Sequence, residues 1–194
     1  MEIGATKAVQ DRLKTTKIEE SKGASLVFCW DTHLTKIKGR NVLFIVNASN
    51  RYTIAMTDIE PRNWNYYTMY IRSVIHGVMQ EMGYSEDQIG QYFKMSGDTI
   101  VTKTHGRKSV GGINRMVMDA QYFGKKPEKE AKYQWELSEY LNRDICQPEG
   151  FDAYGYPSEL FKLDMERLGI ISKRKPAKII DFTQYIDTNR STNH

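Results

Sequence analysis

The pattern of hydrophobic and polar positions becomes regular at Leu26, and from there it predicts three β-strands. The segments LVFCWDTHLTKI, NVLFIVN and RYTIAMTDI are rich in β-branched and aromatic residues. Turn-forming residues separate them, at KGRN and at ASN, so the three strands are expected to form an antiparallel meander. NVLFIVN is apolar at both odd and even positions, which predicts a strand covered on both faces.

Apolar residues then recur every three or four positions, which predicts a long helix from Trp64 to Met82. Pro61 suits the start of this helix and Gly83 its end. Before the meander, the segment MEIGAT predicts an opening strand and KAVQDRLK a short helix.

Three further elements follow the long helix. Ser85 followed by Gln88 predicts a capping box and a second helix that ends at Gly97. TIVTKT predicts a fourth strand of the sheet. Ser109 is the predicted N-cap of another helix.

The remaining third of the chain predicts two helices, from Ala131 to Leu141 and from Pro157 to Gly169. The expected organisation is a core domain over residues 1–123, a helical extension over 124–169 that packs on the core, and a basic tail over 170–194. The fold class is α+β: an antiparallel-rich mixed sheet of about four to five strands packed with helices, plus the C-terminal helices.

Composition and charge exclude several classes of protein. Hydrophobic residues make up 40% and charged residues 27% of the 194 residues, which is too apolar for a disordered chain. No apolar run is long enough to cross a membrane, and the first residues lack the centre of a secretory signal, so a cytoplasmic protein is expected. The net charge of +4 is modest for a nucleic-acid binder.

The segment VNASNRY joins two predicted strands and concentrates polar side chains in a turn. Asn47, Asn50, Arg51 and Tyr52 are candidate ligand-binding residues, because turns at strand ends often hold ligands. The planar guanidinium of Arg51 suits a phosphate or a carboxylate. The alternative is that both asparagines only form the turn and that Arg51 pairs with an acidic neighbour.

The segment TKTHGRKS lies at a predicted junction between a strand and a helix. Lys103, Arg107, Lys108 and Ser109 are further candidate ligand-binding residues, since such a junction with cations nearby attracts an anion such as phosphate. The segment lacks the Walker pattern, and a solvated basic loop is the alternative interpretation.

The segment WDTHL places Asp31 and His33 on the same face of a strand. There the carboxylate could orient an imidazole, and His33 with His105 could act as general acid and base on a phosphodiester. Structural histidines are the alternative. Neither Cys29 nor Cys146 has metal-ligand spacing to other residues, and the acidic residues form no metal pattern, so neither a metal nor a cofactor is expected.

Together, WDTHL, VLFIVNASNRYTI and VTKTHGRKSVGGINRM resemble a bacterial domain family of unknown function. Its members are stand-alone proteins or are fused to plasmid-encoded open reading frames. The resemblance covers roughly residues 1–123, and its features fall on Trp30, His33, Leu34, Asn47, Arg51, Tyr52, Lys103, Arg107, Ser109 and Asn114. It implies that the polar positions, Asn114 included, form one site, but it implies no activity.

The sequence leaves three functions open. The first is a binding module for nucleic acid or another phosphate-bearing ligand, held by Arg51, Lys103, Arg107 and Lys108. The second is a protein-interaction domain that binds a partner through its C-terminal helices. The third is a metal-independent phosphodiesterase or nuclease that uses the two histidines. Convergence of these side chains in space would favour the first or the third.

Overall fold

A computed structural model describes residues 1–13 and 16–172 of the chain. The part of the predicted basic tail from residue 173 onward lies outside the described residues. The observed architecture is a five-stranded mixed sheet packed with helices, which confirms the predicted α+β class. In the described ranges, no helix has the length and apolar character needed to cross a membrane.

The sheet combines the predicted meander with two strands from elsewhere in the chain. Its strands are β1 (Glu2–Ala5), β2 (Cys29–Ile37), β3 (Arg40–Asn47), β4 (Thr53–Thr57) and β5 (Ile100–Lys103). The order is β4-β3-β2-β1-β5. Antiparallel pairing of β2, β3 and β4 confirms the meander, and β1 pairs in parallel with both β2 and β5.

Helices occupy both faces of this sheet. They are α1 (Lys7–Gln10), α2 (Pro61–Asn65), α3 (Tyr67–Glu81), α4 (Glu86–Ser96), α5 (Gly106–Tyr122), α6 (Trp135–Asn142) and α7 (Pro157–Arg167). The predicted capping box at the start of α4 is present, with Ser85 and Gln88 bonded to each other's backbone amides.

The single helix predicted from Trp64 to Met82 is wrong, because the structure has two helices there. Tyr66 has φ −112° and ψ 41°, outside the helical region, and it ends α2 and begins α3. The break lets the Trp64 ring stack on Tyr67, with ring centroids 5.7 Å apart and planes only 5° apart. Tyr67 is buried, so this stacking fixes the chain before α3.

The predicted N-cap at Ser109 is also wrong. Helix α5 begins three residues earlier, at Gly106, and Ser109 lies inside its first turn. The Ser109 hydroxyl donates to the Asp31 carboxylate instead of capping the helix. A tertiary contact therefore replaces the local one that the sequence pattern predicted.

Two hydrophobic clusters cover the two faces of β3, as the apolar pattern of that strand predicts. Leu43 and Ile45 face α3, α4 and α7, whereas Val42, Phe44 and Val46 face α5 and α6. Each fully buried large side chain contributes roughly 1.5–3 kcal/mol to folding.

Helix α7 contributes its aromatic residue to the first of these clusters. The Phe161 ring lies within 6.4 Å, between centroids, of four other rings: Trp30, Tyr52, Tyr84 and Tyr92. Phe161 is 1% exposed. Residues C-terminal to Phe123 therefore take part in the main core.

Side chains of α6 cover the outer edge of β4. Asn142 accepts a hydrogen bond from the Thr53 amide and donates one to the Thr53 carbonyl, both at 2.8 Å. The Ser138 hydroxyl accepts from the Ala55 amide at 3.0 Å. These bonds occupy backbone groups that an exposed edge strand would leave unpaired.

Candidate functional site

The turn between β3 and β4 is built around Asn47. Its side-chain oxygen accepts hydrogen bonds from the amides of Ser49 and Asn50, at 3.0 and 3.3 Å, and its side-chain nitrogen donates to the carbonyl of Val27. The Arg51 amide donates to the Asn47 carbonyl at 2.9 Å. Asn47 thus fixes the backbone position from which the Arg51 side chain extends.

Arg51 has a left-handed backbone conformation, with φ 62°. A residue with a Cβ rarely adopts this conformation, which costs roughly 1–2 kcal/mol. Its side chain lies against α5, where a Cβ on Gly112 would be 3.4 Å from the Arg51 Cδ. The absence of a side chain at Gly112 makes room for the arginine.

Arg51 faces one stripe of α5. Positions 108, 111, 112 and 115 recur at spacings of three and four and therefore share a helix face. They bound a cleft of about 270 Å³, here called the basic cleft. Its lining residues are Val46, Asn47, Ala48, Arg51, Lys108, Ser109, Gly111, Gly112, Arg115, Gln147, Pro148 and Glu149.

Cations outnumber anions in the basic cleft, where Arg51, Lys108 and Arg115 face a single carboxylate, that of Glu149. The Arg115 Nε donates to Asp119 at 3.1 Å, whereas Arg51 forms no ion pair with any residue in the described ranges. Burial raises the pKa of the Cys146 thiol, and the nearby Arg51 partly offsets that rise. The predicted pairing of Arg51 with an acidic neighbour is therefore absent from the described part of the chain.

The outer wall of the cleft is a loop that docks on the turn. The Gly150 amide donates to the Ser49 carbonyl at 2.9 Å, and the Lys108 Nζ donates to the Pro148 carbonyl at 3.3 Å. Arg167 holds the loop from α7, because its Nη1 donates to the Gly150 carbonyl at 3.1 Å and its guanidinium lies 3.9 Å from the Phe151 ring centroid.

A second group of polar residues, here called the histidine cluster, consists of Glu2, Cys29, Asp31, His105 and Ser109. The His105 Nδ1 lies 2.6 Å from the Asp31 Oδ1, and its Nε2 lies 3.1 Å from the Glu2 Oε2. The Ser109 hydroxyl donates to the other oxygen of Asp31. The parallel pairing of β1 with β2 and β5 brings these residues together.

The charges of the histidine cluster are buried and paired. Burial favours a neutral imidazole, but hydrogen bonds and charge from Asp31 and Cys29 outweigh it and raise the pKa of His105 to about 10. Burial likewise favours a neutral Glu2, but hydrogen bonds from Ser21, Ala24, His105 and Lys22 hold the pKa of Glu2 below its usual value. With both ring nitrogens on carboxylates, His105 is an imidazolium at neutral pH and does not offer a free base.

His33 lies on the same face of β2 as Asp31, since they pair with Phe44 and Val46 of β3. Its Nδ1 is buried without a hydrogen-bond partner among the described residues, and burial lowers the pKa of His33. The two histidines share no hydrogen bond in the described ranges. Their acid–base partnership stays a prediction, and this geometry does not favour it.

The other candidate residues lie at several places. The structure brings Asn47, Arg51, Lys108 and Ser109 together in the basic cleft. Lys103 lines a separate cavity of about 680 Å³ beside His105, and Tyr52 lines a third one next to Tyr133.

Three more candidates do not line the cleft. Asn50 is buried and donates to Asp164. Arg107 and Asn114 are exposed on α5.

Sequence reasoning missed Arg115, the Gln147–Glu149 wall and the contact of Glu2 and Cys29 with His105. The spacing of 108, 111, 112 and 115 on one helix face could have indicated Arg115. No sequence signal indicates the other contacts, because they join segments that are distant in the chain.

The fold and its two polar sites define a small α+β domain in which a basic cleft lies between a strand turn and a glycine-containing helix. The chain belongs to the family described as Domain of unknown function (DUF6933), whose model matches residues 2–160. The match confirms the resemblance to a domain family of unknown function and extends beyond residue 123, so that it includes α6. Bacterial origin and an association with plasmids stay predictions. No curated protein and no solved structure matches the chain.

Proposed function

We propose that the chain is a binding module for a phosphate-bearing ligand, and that the phosphate binds in the basic cleft. The observation that supports this is the convergence of Arg51, Lys108 and Arg115 on one cleft, with no carboxylate paired to Arg51 among the described residues. A guanidinium whose position is fixed by the backbone and that has no carboxylate partner is suited to bind two oxygens of an anion.

The size of the cleft supports a particular kind of ligand. A volume of about 270 Å³ lies below the range of roughly 300–1,000 Å³ that is typical of pockets enclosing a whole small molecule. One phosphate group fits, while the rest of the ligand stays outside. Phosphomonoester ends and backbone phosphates of nucleic acid both meet this description.

Binding of a short single-stranded oligonucleotide, with and without a 5′-phosphate, tests the proposal and separates the two forms of ligand. Tighter binding of the phosphorylated strand indicates a phosphomonoester, whereas equal binding of both indicates the backbone. Affinity should fall steeply between roughly 50 and 200 mM salt.

Substitutions then locate the site. Arg51→Ala, Lys108→Ala and Arg115→Ala should each weaken binding by about 1.5–3 kcal/mol. Lys94→Ala, which removes an exposed cation on α4, is the matched control and should bind like the unmodified protein. No measurable binding of either strand, or equal losses in Lys94→Ala and Arg51→Ala, would contradict the proposal.

A further inference from the structure

Three metal-binding side chains from three separate segments meet in the histidine cluster. Glu2 comes from β1, Cys29 from the start of β2, and His105 from the junction between β5 and α5. One donor atom from each lies within 4.8 Å of the other two. Glu2 and Cys29 are 2% and 0% exposed, so the group is not a chance surface cluster.

We propose that Glu2, Cys29 and His105 form a zinc site, with Asp31 as the residue that positions the imidazole. The thiolate, the imidazole nitrogen and the carboxylate oxygen are the donor types that bind Zn²⁺ in proteins. This proposal is independent of anion binding in the basic cleft.

The observed distances require only a small closure. With Zn–N and Zn–O bonds of about 2.0–2.1 Å and a Zn–S bond of about 2.3 Å, donor atoms of a tetrahedral site lie roughly 3.3–3.6 Å apart. The Nε2 of His105 and the Oε2 of Glu2 are already 3.1 Å apart. The thiol of Cys29 makes long hydrogen bonds of 3.5 Å to the carbonyls of Ala24 and Ser25, which a metal–thiolate bond would replace.

Asp31 supplies the outer contact that a zinc-bound histidine needs. A ligating imidazole usually donates its other N–H to a carboxylate, which fixes the ring and its tautomer. Here the Nδ1 of His105 lies 2.6 Å from Asp31. The Nε2, which contacts the Glu2 carboxylate at 3.1 Å, is the nitrogen that would bind the metal in place of its proton. The Ser109 hydroxyl in turn holds the second oxygen of Asp31.

The carboxylate ligand is held in the same way. The hydroxyl of Ser21 and the amide of Lys22 each donate to Glu2 at 2.7 Å, and the amide of Ala24 donates at 3.3 Å. The carboxylates of Glu2 and Asp31 surround one imidazolium, so negative charge exceeds positive charge by one. Zn²⁺ would take the place of the two protons that the thiol and the imidazolium lose on binding, so the buried net charge would stay the same.

A route to the site and a place for a fourth ligand also exist. A cavity of about 680 Å³ is lined by residues that include Ser21, Lys103 and His105. The His105 side chain is 8% exposed. A site with three protein ligands keeps one position for water. Water in the cavity would take that position.

Cobalt absorption tests the site, because a cobalt–thiolate bond gives a strong near-ultraviolet charge-transfer band. The chain has only two cysteines, so two variants assign the thiolate. Cys146→Ser leaves Cys29 as the sole thiol and should give the band at one Co²⁺ per chain, and Zn²⁺ should displace it. Cys29→Ser should give no band.

The Asp31→Asn variant tests the positioning role. It should bind Co²⁺ about 10–100-fold more weakly with the thiolate band still formed at saturation. A purely structural carboxylate would lower stability and leave the affinity of the folded protein unchanged. Absence of the band in Cys146→Ser, or its presence in Cys29→Ser, would overturn the zinc site. Cys146→Ser keeps all three proposed ligands, so loss of the band there could not be blamed on a changed ligand.

Discussion

Gly4 lies so close to Asp31 that a Cβ built on its backbone would be 1.8 Å from the Oδ1 atom of the carboxylate. The same Cβ would be 3.0 Å from the Nδ1 of His105. Only a glycine at this position of β1 lets the Asp31 carboxylate reach the imidazole. The contact between Asp31 and His105 therefore depends on a residue with no side chain.

Gly4→Ala should destabilise the protein by about 3 kcal/mol or more, because it displaces a buried, paired carboxylate. Urea denaturation measures the loss. Gly77→Ala, in α3, is the matched control: a Cβ there meets nothing within 4 Å, and the change should be neutral or stabilise by about 0.5–1 kcal/mol. Equal stabilities of the two variants would contradict the prediction.

The left-handed backbone at Arg51 should lower the stability of the fold, because a residue with a Cβ is strained there. Its φ of 62° suits glycine, so Arg51→Gly should be about 1 kcal/mol more stable than Arg51→Ala after the flexibility of glycine is taken into account. Both variants lose the guanidinium and should bind phosphate equally weakly. Thermal denaturation of the pair measures the difference, and a less stable Arg51→Gly would show that the backbone is not strained.

Asn142→Ala tests the cover on the edge of β4. The change leaves the amide and the carbonyl of Thr53 without their partners in a buried position and should cost about 2–4 kcal/mol. Asn114→Ala, at an exposed position of α5, should change the free energy of unfolding by no more than about 0.5 kcal/mol. A loss in Asn142→Ala as small as that would mean that water replaces the side chain.

His33 should make the fold sensitive to mild acid. Burial lowers the pKa of His33 from its ordinary value of 6.5, so below that pH the unfolded chain binds more protons than the folded one. Stability should therefore fall as the pH drops below about 6.5, and His33→Asn should fall less steeply. Urea denaturation at a series of pH values compares the two slopes, and identical slopes would contradict the lowered pKa.

The meander could be predicted because its three strands follow one another through short turns. In the middle strand, neighbours such as Phe44 and Ile45 point to opposite faces and are both apolar, which is typical of a central strand. The position of β1 could not be predicted. Ile3 pairs with Trp30 on one side and with Val101 on the other, and parallel pairing between such distant segments leaves no local pattern. The contacts of Glu2 and Cys29 with His105 follow from that pairing, so the sequence could not predict them either.

The contents of the basic cleft were partly accessible from sequence. Arg51 and Lys108 lie in the two polar segments that sequence reasoning selected, and both face the cleft. Arg107 was selected on the same grounds but lies outside it, because a helix that begins at Gly106 turns adjacent residues to different sides. The start of α5 lies three residues before the predicted cap at Ser109, and this shift decides that Lys108 rather than Arg107 faces the basic cleft.

The C-terminal helices affect the design of any deletion experiment. A protein partner for them stays a prediction, but α6 bonds to β4 and α7 places Phe161 in the main core. Removing residues 124–194 should therefore unfold the core, which circular dichroism would report. Retention of a cooperative unfolding transition in residues 1–123 would contradict this.

Covering the edge of β4 also limits how this protein can meet other chains. At the opposite edge, the Glu19 amide donates to the Val101 carbonyl of β5 at 2.7 Å, so the chain itself also occupies part of that border. An extended peptide therefore has less free backbone to join in the described part of the molecule. Recognition by strand addition is disfavoured, and so is the edge-to-edge pairing of sheets from different copies that leads to fibrils.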